Sequence, residues 1–218
     1  MHNKPQADKN FMKNIVLDKF SNHSIILRGF AVNLDDQLLV GINNVAGKSN
    51  FRHMKTPNGS FMSAAMTNCG EYGWISDKSG YRYEKIDPKN NKPWPHMPLI
   101  FKTLARDAAD IVGYTNFESD ACLINRYSPK TSMSLHQDKD ERDFSQPIVS
   151  VSLGLTVMFM FGGLTRNEKP ITKELYHGDV LVWGGPDRLR FHGVRPLKKA
   201  RHPLVGAVRL NLTLRRAN

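Results

Sequence analysis

The chain has 218 residues, with 31 Lys or Arg against 20 Asp or Glu and a formal net charge of +11. Hydrophobic residues at 40% and charged residues at 23% exclude wholesale disorder, and this length suits one large domain or two small ones. No apolar stretch approaches the ~20 residues of a membrane span, the polar opening from Met1 to Phe20 is not a secretory signal, and two cysteines, Cys69 and Cys122, make neither a disulfide framework nor a cysteine-based zinc site.

Residues 1–20 are expected to form a flexible arm ahead of a single domain over 21–218. Ser24 to Phe30 reads as a strand. Asn33 can cap a helix running to about Lys48, with Leu34, Leu38, Ile42 and Val45 at helical spacing. Residues 50–98 differ in character: they are rich in Gly, Pro, Asn and Ser, with scattered aromatics such as Phe51, Phe61, Tyr72, Trp74, Tyr81, Tyr83 and Trp94. A long segment without periodicity is usually functional or disordered, and the aromatics argue against disorder. His96 to Gly113 reads as a second helix, with Gly113 past its end.

Beyond Gly113 the hydrophobic period changes to two. Strands are expected at Ala121–Tyr127, Ile148–Leu153, Val157–Phe161, Thr172–Tyr176, Val180–Trp183, Leu189–His192 and Ala207–Arg215. The predicted class is mainly β (α+β): a sandwich or barrel over 114–218, with the two helices packed on one outer face. The net charge is uneven. From Pro186 to Asn218 there are nine basic residues and one acid, Asp187, and such an excess favours polyanionic partners.

Three constellations carry chemistry. In His136-Gln137-Asp138 the imidazole and carboxylate point the same way along an extended chain. Alone, such a pair is more often a surface hydrogen bond. A later histidine, His192, completes two imidazoles and one carboxylate, the facial triad of non-haem Fe(II) oxygenases. For His192 by itself, a core or surface histidine is the commoner fate. On the last strand Val208, Leu210, Leu212 and Leu214 alternate with Arg209, Asn211, Thr213 and Arg215. Two inward guanidiniums need anionic partners, which a dicarboxylate supplies; an outward, solvated or phosphate-binding face is the alternative. Asn125 and Tyr127 add a polar face to an otherwise apolar strand.

Taken jointly, Asn125-Arg-Tyr127, His136-Gln-Asp138-Lys-Asp140, His192-Gly193 and Arg209-Leu-Asn211-Leu-Thr213-Leu-Arg215 resemble the AlkB family of iron- and 2-oxoglutarate-dependent dioxygenases. Ile148 to Gly154, Gly178 to Gly185, Thr67 to Gly70, Gly73-Trp74 and Asp87-Pro88 fit as well, so the resemblance spans about Ser24 to Arg216. It implies a double-stranded β-helix (jelly-roll) core over 114–218, with 50–98 as a nucleotide-recognition lid. It also implies Fe(II) held by His136, Asp138 and His192, with 2-oxoglutarate and O2 as cosubstrates. Arg209, with Tyr127 and Asn211, would take the distal carboxylate of 2-oxoglutarate; Arg215, with Asn125, would take the proximal one.

The activity so implied is oxidative demethylation of bases such as 1-methyladenine and 3-methylcytosine, in single- or double-stranded DNA or in RNA, releasing formaldehyde and succinate. The damaged base must leave the stack to react. Trp74 and His136 would sandwich it and Asp140 would bond its exocyclic amine. Thr56, Tyr81 and Arg166 would touch backbone or lesion rim, and Met66 would form a pocket wall. Packing beneath a long loop is the plainer fate for Met66 and an equal one for Trp74. Trp183 reads as core and Glu141 as a solvated loop charge. Arg188, Arg190, Arg195, Lys198, Lys199 and Arg201 are expected on a phosphate-tracking surface. A cytoplasmic monomer with no membrane partner completes the expectation. The competing readings are a 2-oxoglutarate dioxygenase acting on a protein or small molecule, and a non-catalytic nucleic-acid-binding β domain.

Overall fold

A computed structural model describes residues 15–218; most of the expected N-terminal arm lies outside the described residues. The last residues assigned to that arm instead belong to an edge strand, β1 (Leu17–Ser21), paired antiparallel with β2 (Ser24–Leu27). Helix α1 covers Asp35–Lys48, but Asn33 does not cap it. Asn33 sits in a 3-10 turn, Val32–Leu34, that runs straight into the helix, and Leu34 holds the cap position without a side-chain bond. Asp35 and Asp36 occupy the first turn, where carboxylates favour the positive end of the helix dipole. Helix α2 (Leu99–Val112) starts after Pro98 and ends at Gly113. That glycine has φ +98° and turns its amide back onto the Ala109 and Asp110 carbonyls, as the sequence predicts.

Seven strands form the large sheet, in the order β1-β2-β13-β10-β15-β8-β3. Its remaining members are β3 (Ala65–Gly70), β8 (Ala121–Tyr127), β10 (Ile148–Gly154), β13 (Val180–Trp183) and β15 (Arg209–Arg215). The second sheet runs β12-β11-β14-β9, built from β9 (Met133–His136), β11 (Val157–Phe161), β12 (Ile171–Leu175) and β14 (His192–Val194). Every neighbour pair in both sheets is antiparallel.

Side-chain alternation along the central strands decides the layering. Val149, Val151 and Leu153 of β10 and Leu210, Leu212 and Leu214 of β15 share one buried cluster with Leu38, Ile42 and Val45 of α1 and Phe101, Leu104 and Ala108 of α2. That cluster seals the outer face of the large sheet under both helices. Gly41 lets the helices meet, since a Cβ there would stand 2.8 Å from the Phe101 ring. The opposite face meets the four-stranded sheet through Ile26, Leu181 and Trp183 on one side and Val157, Phe159, Phe161 and Val194 on the other. Two facing antiparallel sheets, with a space left between them at one end, are the jelly-roll arrangement expected from the sequence.

Residues 50–98 are more structured than their composition suggests. Ala65–Gly70 is β3, a full member of the large sheet paired with β8. Two small hairpins stand off the main sheets: β4 (Gly73–Asp77) with β5 (Gly80–Glu84), and β6 (Ile86–Asp87) with β7 (Lys92–Pro93). Asp87, almost wholly buried, anchors the segment by a fork of two 2.8 Å bonds from Arg52 and a third bond from Ser49.

Candidate active site

The cavity between the sheets measures about 800 Å³. It is lined by all fourteen residues that the sequence assigns to metal, cosubstrate or substrate, from Thr56 and Met66 to Arg209 and Arg215. Strands set the spacing. His136 of β9 and His192 of β14 are register partners on adjacent strands, with ring centroids 4.4 Å apart. Asp138 follows β9 and brings its two carboxylate oxygens to 3.7 Å from His136 Nε2 and 3.8 Å from His192 Nε2. One donor atom from each residue falls within 4.8 Å of the others. Gly193 keeps this approach close, because a Cβ there would lie 2.6 Å from the Met133 carbonyl oxygen.

Second partners fix how each imidazole presents itself. His136 Nδ1 lies 2.9 Å from the Ser134 carbonyl oxygen, and His192 Nδ1 lies 3.1 Å from that of Arg190. A carbonyl can only accept, so each Nδ1 carries a proton, and Nε2 is the nitrogen that each ring turns toward the carboxylate. Burial, aided by the neighbouring His136, pushes the His192 pKa down to about 4, so its ring is neutral near pH 7. Burial alone would raise the Asp138 pKa. The adjacent Arg215, with His192, His136 and Arg188, outweighs burial and holds the carboxyl well below its usual range. Two imidazoles, each turning Nε2 inward, and one carboxylate, open on the cavity side, are a donor set suited to ferrous iron.

Behind the triad, β15 turns Arg209, Asn211, Thr213 and Arg215 into the cavity. Arg215 donates to Asp138 Oδ2 from Nε at 2.9 Å and from Nη2 at 2.5 Å. Arg209 is 1% exposed, lies over the Tyr127 ring with Cζ 5.2 Å from its centroid, and donates from Nη2 to Ser152 Oγ at 2.9 Å. Its Nε and Nη1 have no hydrogen-bond partner. Burial lowers its pKa. A buried guanidinium with two idle donors is costly unless an anion joins it, so the residues present fit a carboxylate ligand here. Asn211 bridges β15 to Ser150 Oγ and the Val151 carbonyl, and Asn125 Nδ2 reaches Asn211 Oδ1 at 3.4 Å. Asn125 Oδ1 is also buried without a partner.

At the rim, the Trp74 indole stacks on Tyr81 with centroids 5.7 Å apart. Trp74 Nε1 donates to Asp140 Oδ2 at 2.7 Å, so in this arrangement one oxygen of Asp140 serves the indole. Met66 is buried on β3, and Thr56 caps a tight turn through the Ser60 carbonyl. Arg166 is exposed and lies over the Phe191 ring. Trp183, expected as core, is buried and also lines the cavity wall.

Two expectations fail. Glu141 is not solvated: it is 6% exposed, 3.1 Å from Arg188 Nη2, 3.3 Å from Arg215 Nε, and accepts a 2.7 Å bond from the Tyr83 hydroxyl. Arg188 is not on a phosphate-tracking surface. It is 2% exposed and ties down the loop after the triad by bonds to the Asp138 and Gln146 carbonyls. Arg190 is likewise engaged, with Asp187 and the Gly162 carbonyl, which leaves Arg195, Lys198, Lys199 and Arg201 as the exposed set. No sequence signal separated Glu141 from Asp140, because burial there comes from distant β5 and β15.

The 2OG-Fe(II) oxygenase superfamily model matches residues 25–215. The alpha-ketoglutarate-dependent dioxygenase AlkB of Escherichia coli (strain K12) is 56% identical over 194 residues, covering 89% of this chain and 90% of that protein. Its Caulobacter vibrioides (strain NA1000 / CB15N) homolog is 42% identical over 79% of this chain and 77% of its own length. The solved structure of OsALKBH1 superposes with a TM-score of 0.79 at 27% identity, covering 92% of this chain and all of the other.

Proposed function

This chain belongs to the AlkB family within the 2OG-Fe(II) oxygenase superfamily, and we propose that it removes N-methyl groups from bases such as 1-methyladenine and 3-methylcytosine in DNA or RNA. It is an Fe(II)- and 2-oxoglutarate-dependent dioxygenase. When bound, iron together with 2-oxoglutarate and O2 supplies the oxidising power that hydroxylates the methyl carbon, which then leaves as formaldehyde while the cosubstrate becomes succinate and CO2.

Each group of residues has a part in this reading. His136, Asp138 and His192 hold the metal. Arg209, with Tyr127 and Asn211, takes the distal carboxylate of 2-oxoglutarate; its two partnerless donors support that role. Arg215, beside Asp138, takes the carboxylate nearer the metal with Asn125. Residues 50–98 act as the lid. Trp74 and His136 enclose the flipped base, and the free oxygen of Asp140 accepts from its exocyclic amine, favouring the cationic methylated form. Thr56, Tyr81 and Arg166 touch the strand at the rim, and Met66 walls the pocket. Aromatic stacking makes this grip tolerant of sequence. The enzyme works as a cytoplasmic monomer; no described helix is long and apolar enough to cross a membrane.

The observation that carries the proposal is the indole of Trp74 bonded to Asp140 at the mouth of a cavity whose wall holds the triad. A carboxylate beside a stacking surface suits a flat cationic base better than a peptide. The test supplies Fe(II), 2-oxoglutarate and O2 with methylated and unmethylated oligonucleotides and reads formaldehyde and succinate. Methyl-dependent formaldehyde is expected. Succinate release indifferent to every oligonucleotide would instead indicate a protein or small-molecule substrate, and no 2-oxoglutarate turnover would leave a binding domain.

A further inference from the structure

Trp74 of β4 and Tyr83 of β5 are register partners, directly opposite each other on the hairpin. Their polar atoms grip successive residues of the loop that follows the triad motif: Trp74 Nε1 donates to Asp140, and the Tyr83 hydroxyl donates to Glu141. Glu141 continues inward. It faces Arg215 at 3.3 Å and Arg188 at 3.1 Å. Both arginines then converge on one residue, Arg215 on the Asp138 carboxylate and Arg188 on the Asp138 carbonyl. The four charged groups Asp138, Glu141, Arg188 and Arg215 balance in sign, and each side chain is at most 9% exposed. The hairpin over the cavity mouth and the guanidinium beside the metal ligand are therefore joined by a continuous polar chain of balanced charge, held at Glu141 by the Tyr83 bond and two ion pairs while Glu141 Oε2 makes no hydrogen bond.

We propose that Glu141 is a positioning residue, held by Tyr83, that makes nucleic-acid binding under the hairpin and 2-oxoglutarate binding at Arg215 mutually reinforcing. The proposal rests on the site assignment given above. Arg215 must offer part of its fork to a cosubstrate carboxylate while two protein carboxylates compete for it. The Tyr83 hydroxyl occupies Glu141 Oε1, the oxygen nearest Arg215 Nε. With that bond made, Glu141 steadies Arg215 from the side and leaves the rest of the fork available. With it broken, Glu141 turns fully onto Arg215 and competes with the incoming ligand. A base that holds the hairpin in this bonded arrangement thereby favours the cosubstrate, and by reciprocity the cosubstrate favours the base to the same degree. Tyr83 and Glu141 need touch neither ligand.

The experiment is titration calorimetry on the full chain loaded with Mn(II), which binds in place of iron without turnover. The dissociation constant of 2-oxoglutarate is measured with and without a single-stranded oligonucleotide carrying 1-methyladenine. In the wild type the oligonucleotide is expected to tighten 2-oxoglutarate at least ~5-fold, the lower end of ordinary coupling. In Tyr83→Phe, which keeps the ring and loses only the hydroxyl, that factor should fall below ~2-fold, the reciprocal experiment should give the same factor, and 2-oxoglutarate should bind the oligonucleotide-free variant more weakly than the wild type. Glu141→Gln should show the same collapse. A wild-type factor near one, or a Tyr83→Phe factor equal to the wild type's, overturns the proposal, as does a variant that merely melts at lower temperature with coupling intact. Failure of the site assignment has a separate signature: wild-type protein that does not bind 2-oxoglutarate at all, or Arg209→Met protein that binds it as tightly as wild type.

Discussion

Arg209→Met separates the cosubstrate site from the fold. In the structure the Arg209 guanidinium is 1% exposed, has one hydrogen bond to Ser152, and leaves Nε and Nη1 without partners. A buried cation so placed weakens the fold, and replacing it with an apolar chain of similar length is neutral or stabilising by about 1–4 kcal/mol. The bound state reverses the sign. Breaking a buried charge pair by removing one partner costs about 3–5 kcal/mol, which at about 1.4 kcal/mol per decade is roughly a hundredfold to several thousandfold in 2-oxoglutarate affinity. Melting curves of wild type and variant, each with and without Mn(II) and 2-oxoglutarate, test both halves. The ligand-free variant should melt at or above the wild-type temperature. Saturating cosubstrate should stabilise the wild type by about 2.7 kcal/mol at one hundred times its Kd, and the variant negligibly at the same concentration. A variant that loses several kcal/mol without ligand, yet binds 2-oxoglutarate normally, would refute the reasoning.

Other perturbations reach other parts of the structure. Asp138→Asn removes the one anionic metal ligand, so turnover should fall below ~1% and the Mn(II) resonance signal of bound metal should vanish; half-activity would show that the metal is held elsewhere. Gly193→Ala places a Cβ within 2.6 Å of the Met133 carbonyl oxygen, forcing β14 from β9 and His192 from His136; Mn(II) affinity should fall at least ~10-fold by titration. Arg52→Ala strips buried Asp87 of its fork and should destabilise by about 3–5 kcal/mol in urea at pH 7. Burial opposes but Arg52 and the Lys89 amide depress the Asp87 pKa, so the pair's contribution is present above the ordinary carboxylate range and fades as pH falls through the lowered value. The wild-type advantage over the variant should accordingly shrink in acid.

The catalytic strand was the most legible part of the chain. Alternation from Arg209 to Arg215 separates an aliphatic face from a polar one, and β15 obeys it residue by residue. Helix α2 could be bounded because Gly113 supplies a local stop. Shorter elements carry weaker signals. Strand β9 has four residues, and it forms because β14 offers it a partner, a pairing no local pattern encodes. Strand β3 hides in a segment that reads as loop, since Ala65–Gly70 is buried along nearly its whole length and so shows no hydrophobic alternation. Charge was read least well. Arg188 and Glu141 look like ordinary surface residues in a basic run and an acidic loop, and only the approach of distant chain segments buries them as a pair. Formal charge counts ions but does not say which of them meet.

The pairing of His136 with His192 has a mechanical consequence. Strand β9 is a four-residue edge strand whose register with β14 is interrupted by an irregularity between His192 and Val194. A metal bound to both rings ties these strands together across a long intervening stretch of chain, supplying by coordination what a short, irregular ladder supplies poorly. Closing so long a loop removes configurational freedom that grows only slowly with loop length, so a single tie confers most of the benefit available. Chelation thus unlaces the mouth of the barrel as well as disarming it. Amide exchange in Met133–His136 and the loop through Gln146 should quicken when metal is withdrawn, while β10 and β15 stay protected.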